Sequence, residues 1–300
     1  MATPHPQKIE TFEQYRPLLF SIAYRMLGSV MEAEDIVQES YLRYEAVPDE
    51  TIQSPKALLS TITTRLCLDQ LKSARSQRES YYGPWLPEPL LTGEMVEPFT
   101  QKQEMISMAF MVLLENLSPL ERAVFLLREV FDYSYAEIAG MVEKSEANSR
   151  QLYHRAKQVL AERRSRFKPI PAEQRQLVSS FTQAFQAGDL ESLTHLLTED
   201  VTLTSDGGGK VHAAARPLVG RDHVLRLLVG AARKAPPDIR TEIAEVNGGL
   251  AILVWQAEQL IAVVSPAGDG RRIGELRFVW NPDKLQHFRY PQPSRKAGAS

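Results

Sequence analysis

Arg150, His154 and Lys157 fall at i, i+4 and i+7, so a helix through them sets three basic side chains on one stripe. Leu152, Ala156, Val159 and Leu160 line another face of the same helix. From Lys144 to Lys168 eight basic residues (Lys144, Arg150, Arg155, Lys157, Arg163, Arg164, Arg166, Lys168) stand against two acidic ones, Glu146 and Glu162, in a chain whose formal net charge is −2. A charged stripe is commonly just a helix's solvated face. So lopsided a sign in a near-neutral chain points instead to phosphate neutralisation, which supplies much of the affinity for nucleic acid. A second cationic set, Lys56, Arg65, Lys72, Arg75 and Arg78, is opposed only by Asp69 and Glu79. Two basic helices on separate segments suit a two-part nucleic-acid contact.

Apolar period and capping residues define the elements that must hold these groups. Tyr135, Ile138, Ala139 and Val142 make a short helical face, Glu143 and Lys144 break it, and Ser145 caps the next helix. That is the pattern of a helix-turn-helix, with Ser145, Asn148, Ser149, Arg150, His154, Arg155 and Lys157 as candidate DNA contacts. Arg150 and Asn148 can present paired donors or acceptors to base edges. Upstream, helices are predicted over 12–27 and 31–47, the second with an acidic outer face of Glu32, Glu34, Asp35 and Glu39 that suits a basic partner. A third begins at Ser54-Pro55, a cap followed by proline at the first helical position. Residues 81–102 are rich in proline and glycine yet carry Tyr81, Tyr82, Trp85, Leu86, Leu90 and Leu91, which reads as a linker that docks on a surface. An apolar helix is expected over 103–117.

AEDIVQESYLR (33–43), PKALLSTITTRLCLDQLKSAR (55–75) and LSPLERAVFLLREVFDYSYAEIAGMVEKSEANSRQLYHRAK (117–157) resemble, in order and spacing, the two regions of an extracytoplasmic-function sigma factor, a promoter-recognition subunit of bacterial RNA polymerase. Residues 151–156 read QLYHRA where many such factors carry S-R-L-H-R-A. The resemblance implies that Asp35, Gln38 and Glu39 dock on core polymerase, that the helix from Lys56 to Arg78 opens and holds the minus-10 element, and that the helix from Ser145 reads the minus-35 element.

After Lys168 the character changes. Helical stretches at 174–187, 189–197 and 222–233 accompany strand-like runs at 201–205, 239–246, 250–256, 259–265, 272–280 and 285–290, an α+β order with an antiparallel sheet. It resembles the SnoaL-like branch of the NTF2 and ketosteroid-isomerase cone fold, as found fused to a group of sigma factors. That group carries a Trp-Leu-Pro-Glu-Pro linker, an Asp-Gly-Gly-Gly-Lys turn and an Asn-Pro-Asp-Lys-Leu segment. The candidate interdomain regulatory residues are therefore Trp85, Leu86, Pro87, Asp206, Gly207, Gly208, Gly209, Lys210, Asn281, Pro282, Asp283 and Lys284. The implied division is region 2 at 1–80, linker at 81–102, region 4 at 103–168, cone domain at 169–291 and a disordered tail at 292–300. As an enzyme the cone would need a carboxylate or histidine base, for which Asp200, Asp206 and His212 are the candidates, with Trp255 and Trp280 walling a pocket. An acid ahead of three glycines is more often a turn former. The reading is a non-catalytic regulator; an active isomerase, cyclase or hydrolase and a ligand-sensing repressor are the alternatives.

Composition agrees with a soluble multidomain protein: 300 residues, 43% apolar and 24% charged. No apolar run approaches the ~20 residues of a membrane span, and the N-terminal residues lack a signal-peptide pattern. The one cysteine, Cys67, precludes an internal disulfide and suits the cytoplasm. His212 has no second ligand at metal spacing, and neither metal nor cofactor is expected. The expected partners are core polymerase and promoter DNA, with a small ligand of the cone domain left open.

Overall fold

A computed structural model of the chain describes residues 6–79, 81–92, 106–163 and 168–288, leaving aside the side chains at 73–79, 163, 169 and 173. The expected contacts of Arg75 and Arg78, linker residues 93–102, the basic run 163–167 and the tail thus lie outside the described residues.

Helices α1 (Pro6–Leu27), α2 (Val30–Glu45) and α3 (Pro55–Glu79) form the first module. α1 buries Leu19, Ile22 and Met26 on the face its period predicts. Gly28, at φ +70, ends it, and Ser29 caps α2 by accepting from the Glu32 amide. The second module is α4 (Met108–Leu114), α5 (Pro119–Glu129), α6 (Tyr135–Val142) and α7 (Glu146–Arg163). Ser118 with Glu121 and Ser134 with Glu137 close capping boxes, satisfying amide groups that the first helical turn leaves unpaired. Glu143 turns the chain at φ +55, and Ser145 accepts from the Asn148 amide at 3.2 Å, giving the expected helix-turn-helix. The helix expected over 103–117 is only seven residues long, because Ser107 caps it late and Ser118 starts a new one.

The C-terminal domain comprises β1 (Lys168–Pro169), α8 (Arg175–Ala187), α9 (Leu190–Leu196), β2 (Leu197–Asp206), β3 (Leu218–Val219), α10 (Arg221–Lys234), β4 (Ile239–Val246), β5 (Gly249–Gln256), β6 (Gln259–Gly268) and β7 (Ile273–Val279). The sheet order is β3-β2-β7-β6-β5-β4, with β1 on β6. It is not wholly antiparallel as expected: β7 closes the β4–β7 meander and lies parallel to β2, from which α10 separates it in sequence. The strand expected at 285–290 is absent among the residues described. Pro282–Lys284 is a 3-10 turn capped by Asn281, and Pro282 cannot donate to a ladder. Strand residues alternate between two apolar layers. Ile252, Val264 and Phe278 face the helices, whereas Leu253, Trp255, Val263 and Val279 face outward. That outer face is covered by Leu86 of the linker and Met108 of α4.

Candidate functional site

The linker 81–92 lies across the outer face of the sheet and is gripped there by a buried carboxylate. Asp206 has no exposed surface. Its carboxylate accepts from the Tyr81 hydroxyl at 2.5 Å, the Leu86 amide at 2.7 Å, the Gly208 amide at 3.1 Å and the Lys284 ammonium at 2.8 Å. Lys284 also donates to the Leu86 carbonyl and lies over the rings of Trp85 (4.2 Å) and Tyr81 (5.1 Å). Desolvation and then Asp206 hold the Tyr81 hydroxyl well above the usual tyrosine range, so it acts as a donor. Asn281 donates to the Tyr81 oxygen at 2.9 Å, and Lys210 pairs with Asp283. Gly208 sits at φ +60 where any Cβ would overlap the Asn281 amide. The three motifs thus build one clasp. Leu86, 1% exposed, adds about 2 kcal/mol of burial to it.

A second junction ties the same linker to the first module. Glu88 accepts from the Ser29 hydroxyl and the Val30 and Met31 amides, capping α2 from outside its own chain segment. Burial pushes its carboxyl above the usual range. Tyr24 donates to the Glu88 carbonyl, and Asn247 donates to the Tyr24 oxygen and the Ile106 carbonyl while accepting from the Leu90 amide. One asparagine at the β4–β5 turn therefore joins both helical modules, linker and sheet. Trp85 packs on Gly28 so closely that a Cβ there would lie 2.7 Å from Cη2 of the indole. Gly28→Ala is expected to lose about 1–3 kcal/mol from positive-φ strain and overpacking, with Trp85 displaced. Thermal unfolding and a red-shifted tryptophan emission would register it.

The two helical modules are not apart. One apolar cluster runs from Phe12 in α1 to Leu160 in α7. Arg122 of α5, 3% exposed, donates to the Met26 carbonyl at 2.7 Å, donates twice to the Leu114 carbonyl, and pairs with Glu115. Ser60 and Tyr133 share a 2.7 Å hydrogen bond, with Lys56 over the Tyr133 ring. Arg65, expected to face DNA, instead donates to the Gly140 and Met141 carbonyls and pairs with Glu143. Lys72 is on the surface beside Asp69. On α7, Asn148, Arg150, His154, Arg155 and Lys157 are exposed, Arg150 paired with Glu146 and stacked on Tyr135. Ser149 is a correction: it is fully buried, because position 149 falls on the core stripe of α7. Asp35 and Gln38 are exposed on α2, between exposed Met31 and Leu42; Glu39 pairs with Arg43.

The helix-facing side of the sheet encloses a cavity of about 490 Å³. Trp280 lines it, but Trp255 faces the opposite side and does not wall a pocket as expected. Asp206 belongs to the clasp, and neither Asp200 nor His212 lines the cavity. Among the described residues no cluster of His, Cys, Asp and Glu could hold a metal ion, and no helix is long and apolar enough to cross a membrane.

Comparison with known proteins matches residues 11–77 to Sigma-70 region 2, 107–160 to Sigma-70 region 4 and 178–280 to the SnoaL-like domain. The ECF RNA polymerase sigma factor SigJ of Mycobacterium tuberculosis is 40% identical over 250 residues, 81% of this chain and 80% of its own. The chain belongs to the ECF sigma factors. The probable ECF sigma factor SigI of the same organism is 29% identical over 95% of this chain and 97% of its own. A crystal structure of M. tuberculosis SigJ superposes with a TM-score of 0.72 at 34% identity, covering 93% of this chain and 98% of that one. In this ECF sigma factor, sequence reasoning found the three clasp motifs but missed Tyr24, Gly28, Glu88, Arg122 and Asn247. Asn247 reads as an ordinary Asn-Gly turn former, and only its fourfold hydrogen bonding across the fold reveals its second use.

Proposed function

We propose that the chain directs core RNA polymerase to promoter DNA in the cytoplasm, and that the arrangement described is a holding state maintained by its own C-terminal domain. The observation that carries the second part is the direct contact of the two DNA-reading modules, Arg65 Nη2 lying 2.9 Å from the Gly140 carbonyl. Promoter elements about 25 base pairs apart are separated by roughly 85 Å at ~3.4 Å per pair. Helix α3, at ~1.5 Å per residue, is only about 37 Å long, so modules this close cannot reach both elements until they part. The domain division at residues 80, 102, 168 and 291 follows the same reading. The exposed stripe Met31, Asp35, Gln38 and Leu42 supports α2 as the polymerase-docking surface, with charge at its middle and apolar ends. The exposed groups of α7 (Asn148, Arg150, His154, Arg155 and Lys157) support it as the groove reader, and Arg65 and Lys56 become available to DNA only after separation.

The C-terminal domain is taken as a regulator rather than an enzyme, because no carboxylate, histidine or cysteine lines its cavity to serve as general acid or base. Run-off transcription with core polymerase on a cognate promoter tests the main reading. No stimulation together with no co-purification with core enzyme would sink it. Asp206→Ala in the full chain is expected to raise the run-off yield at limiting core enzyme. An equal or lower yield would overturn the holding state.

A further inference from the structure

The cavity of about 490 Å³ lies within the range of small-molecule sites, which are mostly apolar with a few placed polar groups. Its interior is built from Phe181, Phe185, Ile252, Val264, Phe278 and Trp280. Phe278 and Trp280, two apart on the strand and its extension, stand nearly parallel at 13° with centroids 5.7 Å apart, making a flat wall. The polar groups are few. Thr182 spends its hydroxyl on the Val178 carbonyl, while Gln186 donates to Thr241 at 2.9 Å. Lys234, at the end of α10, is the only charged side chain in the lining.

From this lining we infer that the cavity binds a flat, largely apolar, ring-bearing molecule with one anionic or hydrogen-bond-accepting group directed at Lys234 and Gln186, and that occupancy is transmitted to the linker clasp. The rings and aliphatic wall supply area without direction. The lone ammonium and the amide fix which end of the ligand faces out. Transmission rests on covalent continuity: the Trp280 and Asn281 amides both donate to the Asp206 carbonyl, at 2.8 and 3.0 Å, so one peptide separates the flat wall from the residue that grips the linker. A ring stacked on Phe278 and Trp280 therefore presses on the strand end from which Asn281, Asp283 and Lys284 depart. This deepens the proposed regulatory reading and rests on it for its consequence, not for the binding itself.

The test uses the full chain and 1-anilinonaphthalene-8-sulfonate, a flat apolar probe with one sulfonate. Saturable one-to-one fluorescence enhancement is expected, weakened at least tenfold by Ala232→Trp, which plugs the half-buried mouth, and about tenfold by Lys234→Glu at an exposed position. Affinity unchanged in both variants would place the probe elsewhere and overturn the site. With the probe bound, amide exchange at Leu86 and Leu90 is expected to change at least threefold; unaltered exchange at saturation would overturn the transmission. A failure of the regulatory reading registers separately, as an Asp206→Ala run-off yield that does not rise while probe binding persists.

Discussion

Asp206→Ala is expected to open the clasp. The substitution leaves the Lys284 ammonium, 6% exposed and lying over two rings, without its buried counter-charge, and leaves the Leu86 amide without its acceptor. Breaking one side of a buried ion pair typically costs about 3–5 kcal/mol, because the remaining charge is uncompensated. At ~1.4 kcal/mol per decade this corresponds to at least about a hundredfold faster amide exchange around Leu86. Exposed Lys210–Asp283 is the internal control: Lys210→Ala, which removes a half-exposed pair on the same motif, should cost under about 1 kcal/mol. The double variant Asp206→Ala/Lys284→Met should recover part of the loss, since it removes the stranded charge. Exchange at Leu86 that stays at the parent rate would mean the linker is held by apolar burial alone.

Arg122→Met is expected to have the other large effect, on the contact between the two modules. The guanidinium satisfies the Leu114 carbonyl at the C-terminal end of α4 and the Met26 carbonyl at that of α1, so its loss strands two buried acceptors and Glu115. About 3–5 kcal/mol should be lost, seen as a lower denaturation midpoint and a larger radius of gyration by solution scattering. Arg65→Ala acts on the same interface from a half-exposed side chain and should cost no more than about 1 kcal/mol. The contrast separates a structural rivet from a releasable contact. Equal effects of the two variants would refute that distinction.

Much of the local structure was legible because short-range rules govern it. Ser118 and Ser134, three residues ahead of Glu121 and Glu137, mark helix starts whatever surrounds them. The period of Leu19, Ile22 and Met26 reports a buried face without saying what buries it. The helix-turn-helix, the cone domain and the docking character of the linker all followed from such signals and from the resemblance they carried. Failures came where a residue has two local uses. Ser149 reads as a polar groove contact until the phase of α7 puts it inside, and Trp255 reads as a pocket wall until strand alternation sends it outward. The segment after Trp280 keeps an apolar look but turns at Asn281-Pro282 instead of extending.

By itself the sequence determined the helices, the strands, the family and the three motifs that converge, because propensity, period and capping are written within a few residues of where they act. Only the tertiary structure decided that Asp206, Tyr81, Leu86 and Lys284 meet, that Arg65 holds region 4 instead of facing solvent, and that Asn247 joins four segments at once. Those contacts span from 75 to 223 residues of chain. The partner of a buried charge or amide at that separation is set by how whole modules pack, and no local pattern encodes it.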